Sequence, residues 1–267
     1  MEAIQLSSLL KKVEEVVIRI GEFQKEHWNH VAQNEIQLKS SNQLVSFVDQ
    51  QSEQMLVDGL TELVEGSTVI GEESAAENRV LTEYTWIIDP LDGTTNFLHG
   101  LPVFSISVAL FHQNNPVLAV VHCPVLNETF TAYLNGGAFL NGASIHVSAN
   151  NHLNNCLIAT GFPYHEFGRM DGYVETLKTF MTDTQGLRRM GSAAIDLAYT
   201  ACGRFDAFFE MDLSPWDIAA GILLVREAGG KVTDFSGNTE LVFGIEIIAA
   251  SSLIYSDFTQ IIRNNLG

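Results

Sequence analysis

The nine-residue string DPLDGTTNF, Asp89 to Phe97, constrains this chain more than any other feature. The apolar run Trp86–Ile88 leads directly into it, so Asp89 ends what reads as a buried strand. A carboxylate at that place must be paired, hold a cation or do chemistry, because burying it alone is costly. Pro90 biases Asp89 toward extended geometry. Gly93 permits a sharp turn, and Thr94 and Thr95 suit the start of a helix. The expectation is that Asp89 ends the strand, that Asp92 sits in the turn, and that both face one point with the Leu91 carbonyl between them. Such an oxygen-only set suits a hard cation. A helix beginning at Gly93–Thr94 would aim free N–H groups at an anion beside it. Alone, the pattern would read more readily as an Asp-Pro turn followed by a helix cap.

Two further acid clusters weigh against that plainer reading. Gly71-Glu72-Glu73 ends the short apolar run STVIG, and Asp217 follows Ser214-Pro215-Trp216 at a helix start. A Glu pair after a strand is usually a solvated loop, and an Asp at a helix start is usually a partner for the helix dipole. Three acid clusters at element boundaries nevertheless suit convergence at one end of a sheet. Two-metal hydrolysis needs about this many carboxylates, since ions ~3.5–4 Å apart share ligands.

The totals narrow the partners. Lys plus Arg number 14 and Asp plus Glu 32, a formal charge of 14 − 32 = −18 over 267 residues. That field repels a phosphate backbone, so nucleic acid is not expected as a partner. Most of the carboxylates simply keep a protein soluble. Cys123, Cys156 and Cys202 are scattered, which fits a reducing compartment and no disulfide framework. They sit in apolar surroundings and read as core rather than as nucleophiles. The histidines show no HxH or HExxH pattern, which argues against zinc. Acids interrupt the apolar pattern of the first twenty residues, so no signal peptide is read. No apolar window approaches the ~18 residues that span a bilayer. A cytoplasmic protein without membrane contact is expected. With no protein nucleophile evident, the chemistry left is direct attack of a metal-activated water on a phosphate ester.

Periodicity outlines the elements. Leu6, Leu9, Leu10, Val13, Val16, Val17 and Ile20 recur at helical spacing. A second helix is expected from about Asp49 to Leu63. A β-patterned block runs from Phe104 to Phe139, which could be core or an interface. Helices are expected over Gly172–Thr182, in GSAAIDLAYTACG, and from Pro215 behind a Ser214 cap. The mixture suggests a layered α/β or α+β fold. A soft boundary near Ser148–Asn155 divides residues 1–150 from 151–267 within one compact unit.

DPLDGTTNF, preceded by GEES and followed by PWDIAAGILLVREAGG, resembles the inositol monophosphatase family, and RRMGSAAIDLAYTACGRFDAFFE resembles its bacterial branch. The likeness covers nearly the whole chain in order. It implies an αβαβα sandwich with the active site between the halves, and hydrolysis of a phosphate monoester, foremost myo-inositol 1-phosphate, with two or three Mg²⁺. It further implies Li⁺ inhibition and a homodimer. By resemblance Glu72, Asp89 and the Leu91 carbonyl would hold one Mg²⁺, and Asp89, Asp92 and Asp217 a second. Glu72 and Thr94 would activate the water. Gly93 and Thr94 would hold the phosphate. Glu210, with Gly191, Ser192 and Ala193, would contact substrate, as would Asp92 and Asp217. Asp49, Glu73 and Lys39 would stand nearby. Gln43 departs from the Asp common in relatives, which bears on the first loop only.

Competing readings remain. A DxDGT phosphatase needs its aspartates two apart, not three. Histidinol phosphate, fructose 1,6-bisphosphate and 3′-phosphonucleotides are rival substrates. Thr95 and Asn96 stand where relatives acting on 3′-phosphonucleotides or histidinol phosphate often carry a basic residue. Glu210 suits a polyol, because a carboxylate accepts hydrogen bonds from hydroxyls. A non-catalytic regulatory protein on the same fold is the alternative from another class.

Overall fold

The computed structural model describes residues 3–31, 36–40, 43–74, 80–163, 167–241 and 243–267. Helix α1 (Ala3–His27) is followed by a hairpin of β1 (Ile36–Ser40) and β2 (Gln43–Ser46), then by α2 (Phe47–Leu63). Leu6, Leu9, Leu10, Val13, Val17 and Ile20 of α1 are buried together with Leu56 and Leu60 of α2. Each such side chain contributes about 1.5–3 kcal/mol on burial. The helices lie side by side on one face of a seven-stranded sheet.

That sheet runs in sequence order through β3 (Thr68–Gly71), β4 (Tyr84–Asp92), β5 (Ser105–His112), β6 (Asn115–Cys123), β7 (Glu128–Tyr133), β8 (Gly137–Leu140) and β9 (Ala143–Ile145). Between β4 and β5 lies the one-turn helix α3 (Thr94–Leu98). Strands β5 to β7 are buried along almost their whole length, so the apolar block from Phe104 onward is core of the single chain.

The second half supplies β10 (Leu157–Thr160), α4 (Met170–Asp183), β11 (Gly186–Arg188), α5 (Ala193–Ala201), β12 (Ala207–Met211), α6 (Pro215–Glu227), β13 (Gly230–Thr233), β14 (Glu246–Ser251) and α7 (Tyr255–Leu266). Its five strands pair in the order β11-β10-β12-β14-β13. Helices α5 and α6 are packed between the two sheets: their buried residues share a core with Ile87, Ala109 and Val121 on one side and with Ala159, Phe208 and Ala249 on the other. Helices α4 and α7 cover the outer face of the smaller sheet. The result is a five-layer αβαβα sandwich, as the resemblance implies. Helix α5 has no exposed face because both sides are covered: Ala194, Ile195, Leu197, Ala198 and Ala201 are fully buried, as are Asp196 and Thr200. Among the described residues no helix is long and apolar enough to cross a membrane.

Candidate functional site

The aspartates of DPLD meet through a fault in the sheet. Asp89 pairs with Ser107 and Asp92 with Ser105, so three steps along β4 oppose two along β5. In a regular strand, residues three apart point to opposite faces. The extra residue cancels that alternation, as a β-bulge does. Pro90, with no N–H to give the ladder, stands inside the irregular stretch. Asp92 therefore belongs to the strand and not to a turn, a correction to the sequence reading. The Leu91 side chain, 1% exposed, is buried with Val48, Phe97 and Phe104. Its amide donates to Asp89 Oδ1 at 2.9 Å. Gly93 then turns the chain at φ 95°, and a Cβ there would meet the Val103 carbonyl at 2.9 Å. Next to this strand, β3 runs parallel with Gly71 opposite Ile88, which places Glu72 beside Asp89.

Helix starts hold three of the acids. Asp49 is the third residue of α2 and accepts from the Ser46 amide at 2.9 Å and the Ser46 hydroxyl at 2.7 Å. Its other oxygen accepts from Thr94 Oγ1 at 2.9 Å. Thr94 Oγ1 also stands 3.0 Å from the Leu91 carbonyl. Asp217 is the third residue of α6 and accepts from the Ser214 amide at 2.7 Å. Asp92 reaches the start of α5, accepting from Ser192 Oγ at 2.5 Å and the Ala194 amide at 2.8 Å. Carboxylates are favoured at such positive helix ends. Asn96 joins the two sequence regions, donating to the Val103 and Met190 carbonyls at 2.7 and 2.9 Å.

Asp92, Thr94, Ser192 and Asp217 line a cleft of about 540 Å³, whereas Asp49 and Asn96 are absent from its lining. Glu72, Asp89, Leu91, Asp92, Gly93, Thr94, Trp216 and Asp217 line one wall. Gly161, Arg189, Gly191, Ser192, Ala193, Asp196, Glu210 and Asp212 line the other. Glu210 stands so close to Gly161 that any Cβ there would overlap its carboxylate. Arg189 is the only basic residue of this lining among the described residues, and its guanidinium lies 5.4 Å from the Phe162 ring.

The cleft is short of positive charge. Burial, then Glu72, Asp92 and Asp217, push Asp89 well above the usual carboxylate range. Burial and Asp92 do the same to Asp217. Asp92 is raised to about 6, held there by its Ser192 and Ala194 bonds against the cost of burial. Burial lifts Glu210 to about 8, opposed by Arg189. Asp49 is raised by burial against its own hydrogen bonds. A crowded set of hard oxygens lacking counter-charge fits a hard divalent cation such as Mg²⁺. Among the described residues no three acids, histidines or cysteines are already closed around one point; the acids share the cleft and act on one another through charge. The cysteines offer no rival chemistry. Cys156 is pushed up to about 12 by burial and Cys123 is pushed up further.

Reading the sequence missed Arg189, Asp196 and Asp212 in this lining. Arg189 and Asp196 stand inside the quoted RRMGSAAID string, yet only packing turns them inward. Asp212 has a left-handed backbone, φ 68°, between β12 and α6. Glu73 donates its amide to Glu53 at 2.8 Å and is absent from the cleft lining. Lys39 lies in β1, with its side chain outside the described residues.

The model of the inositol monophosphatase family matches residues 5–265. The chain belongs to the inositol monophosphatase family. An inositol-1-monophosphatase of Mesorhizobium japonicum is 35% identical over 261 residues, 98% of each chain. A protein of Neisseria meningitidis serogroup B named putative Nus factor SuhB is 47% identical over 224 residues, 84% of this chain and 86% of that protein. The crystal structure of extragenic suppressor protein suhB from Bartonella henselae superposes with a TM-score of 0.90 at 36% identity, covering 97% of this chain and 100% of that one. Because family members include a protein named Nus factor, the expectation of no nucleic-acid partner, drawn from charge alone, gains no support from these likenesses.

Proposed function

We propose that this chain hydrolyses a phosphate monoester with Mg²⁺, and that its foremost substrate is myo-inositol 1-phosphate. The observation that carries the reading is the bulge in β4, which puts Asp89 and Asp92 in one cleft with Glu72, Asp217 and Thr94. Glu72, Asp89, Asp92, Asp217 and the Leu91 carbonyl are the residues that would hold two or three ions. Mg²⁺ there supplies neutralising charge for the phosphoryl oxygens and acidifies a water. Thr94 Oγ1 gives its single proton to Asp49 or to the Leu91 carbonyl, so its lone pairs accept from the attacking water. Glu72 takes the proton that water loses. The Gly93 and Thr94 amides orient the phosphate.

On the far wall, Glu210 accepts hydrogen bonds from ring hydroxyls, with the backbone from Gly191 to Ala193 beside it. Ionised once Mg²⁺ is bound, the buried acids there would disfavour a second phosphate through like-charge repulsion. This separates inositol phosphate from bisphosphorylated substrates. The halves 1–150 and 151–267 act as one unit. A homodimer, inhibition by Li⁺ and a cytoplasmic setting belong to the same proposal. A second reading, a regulatory protein on this fold, is favoured by the name of the Neisseria relative.

A panel decides between them. Phosphate release is measured from inositol 1-phosphate, histidinol phosphate, fructose 1,6-bisphosphate and adenosine 3′,5′-bisphosphate, with Mg²⁺ and with EDTA. Mg²⁺-dependent release ranked highest on inositol 1-phosphate is the expected result. Release ranked highest on another ester reassigns the substrate, and folded protein inert toward all four favours the regulatory reading.

A further inference from the structure

We infer that Glu53 is a positioning residue that holds the Glu72–Glu73 turn against the cleft, and that α2 thereby sets two separate parts of the site from one helix. The inference rests on the proposed phosphatase reading. Glu53 is 4% exposed and does not line the cleft. Its Oε2 accepts the Glu73 amide at 2.8 Å. Gly71, immediately before Glu72, lies directly over the same carboxylate: a Cβ there would stand 2.7 Å from its carboxyl carbon. Gly71 also pairs with Ile88, so the contact fixes the place where Glu72 leaves the sheet beside Asp89.

One helical turn earlier on α2, Asp49 holds Thr94 Oγ1. Residues four apart share a helix face, so Asp49 and Glu53 present two carboxylates side by side. Between them in sequence, Ser52 Oγ accepts from the Gln24 side chain at 3.1 Å, and the same amide donates to the Pro90 carbonyl at 2.6 Å. Thr94, the bulge at Pro90 and the Glu72 turn are thus all referenced to one rigid element. A buried carboxylate is expensive where packing alone is needed. An apolar side chain would fill the space but could not accept the Glu73 amide.

The test compares Glu53→Met, which keeps volume without an acceptor, with Glu53→Gln, which keeps a carbonyl oxygen. The readouts are hydrogen exchange at the Glu73 amide and the Mg²⁺ concentration that half-saturates the rise in melting temperature. Glu53→Met is expected to lose the Glu73 protection and to raise that Mg²⁺ midpoint about 10-fold, the low end for loss of a contact behind a metal ligand. Glu53→Gln is expected to stay near wild type. Gly71→Ala pushes on the carboxylate from the other side and decides by the same readouts if Glu53→Met does not fold. A variant that melts lower with an unchanged Mg²⁺ midpoint would overturn the inference. A wild type that Mg²⁺ does not stabilise would overturn it together with the phosphatase reading. A wild type stabilised by Mg²⁺ but releasing no phosphate removes the phosphatase reading alone.

Discussion

On one wall of the cleft, Asp89, Asp92 and Asp217 each rest an oxygen on a nearby donor: the Leu91 amide, the start of α5 and the Ser214 amide. On the other wall, Asp196 is fully buried and its Oδ1 has no hydrogen-bond partner among the described residues. Burial pushes Asp196 well above the usual range, Glu210 and Asp92 push it further, and Arg189 opposes them. These three carboxylates are held by backbone amides, and Asp92 also by the Ser192 hydroxyl, before any ligand arrives. On the second, Asp196 Oδ1 has no such donor among the described residues, so it is left to respond to what enters. Rigid positioning suits the chemistry common to every ester, and a responsive wall suits the choice among alcohols.

The comparison is broken most severely on the first wall. Asp217→Asn keeps an oxygen for the Ser214 amide, so α6 should stay capped. Phosphate release should nevertheless fall by about 10²-fold or more for every ester, since even outer contacts of a metal site are worth 10–100-fold. Steady-state kinetics on two unlike esters checks this; a loss confined to one ester would erase the distinction between the walls.

Glu210→Gln should act selectively. A hydrogen bond to a charged group is worth about 1.5–3 kcal/mol, roughly 10–150-fold in kcat/KM. The loss should appear with inositol 1-phosphate and be small with an aryl phosphate that lacks ring hydroxyls. Equal losses on both would place Glu210 with the chemistry instead.

The charge imbalance predicts a pH dependence. Glu210 moves from an ordinary 4.5 to about 8 in the folded protein. Between those values the native state keeps a proton that the unfolded chain has released, so stability falls as pH rises. Asp92, raised from 3.8 to about 6, contributes in the same direction over its lower window. Metal-free protein should therefore melt lower near pH 8 than near pH 6, and Mg²⁺ should raise the melting temperature more at the higher pH. Calorimetry with EDTA and with Mg²⁺ measures both; a metal-free protein that is more stable near pH 8 would contradict the assignment of uncompensated charge.

The smallest effect is expected behind the first wall. Ser46→Ala removes a helix cap worth about 1 kcal/mol, a fall of about 2–4 °C in melting temperature for a chain of this size. Asp49 keeps the Ser46 amide and Thr94 as partners, so kcat should change less than the stability does. A collapse of kcat with little change in melting would move Ser46 into the site.

Parts of the first wall were legible in the sequence because they are local. DPLDGTTNF carries its own strand end, proline and glycine turn within nine residues. Asp49 and Asp217 sit three residues after a serine, a cap pattern visible in the string. The bulge was not legible: Asp92 reads as a turn residue until the register against β5 is known. Nor was the second wall. Asp196 looks like any acid on an amphipathic helix, and only the enclosure of α5 between two sheets buries it. Nothing in the sequence singles out Glu53 until Gly71 is found against it. The Phe104–Phe139 block left core and interface open by composition alone, and pairing within the seven-stranded sheet decided for core.

On the proposed reading the acids of the first wall hold Mg²⁺ for phosphate-ester hydrolysis. Its most direct test is phosphate release from inositol 1-phosphate by wild type and Asp92→Asn, each with Mg²⁺ and with EDTA. Release by the wild type with Mg²⁺, none with EDTA, and near-complete loss in folded Asp92→Asn are expected. Release that persists in EDTA, or that Asp92→Asn retains, would contradict it.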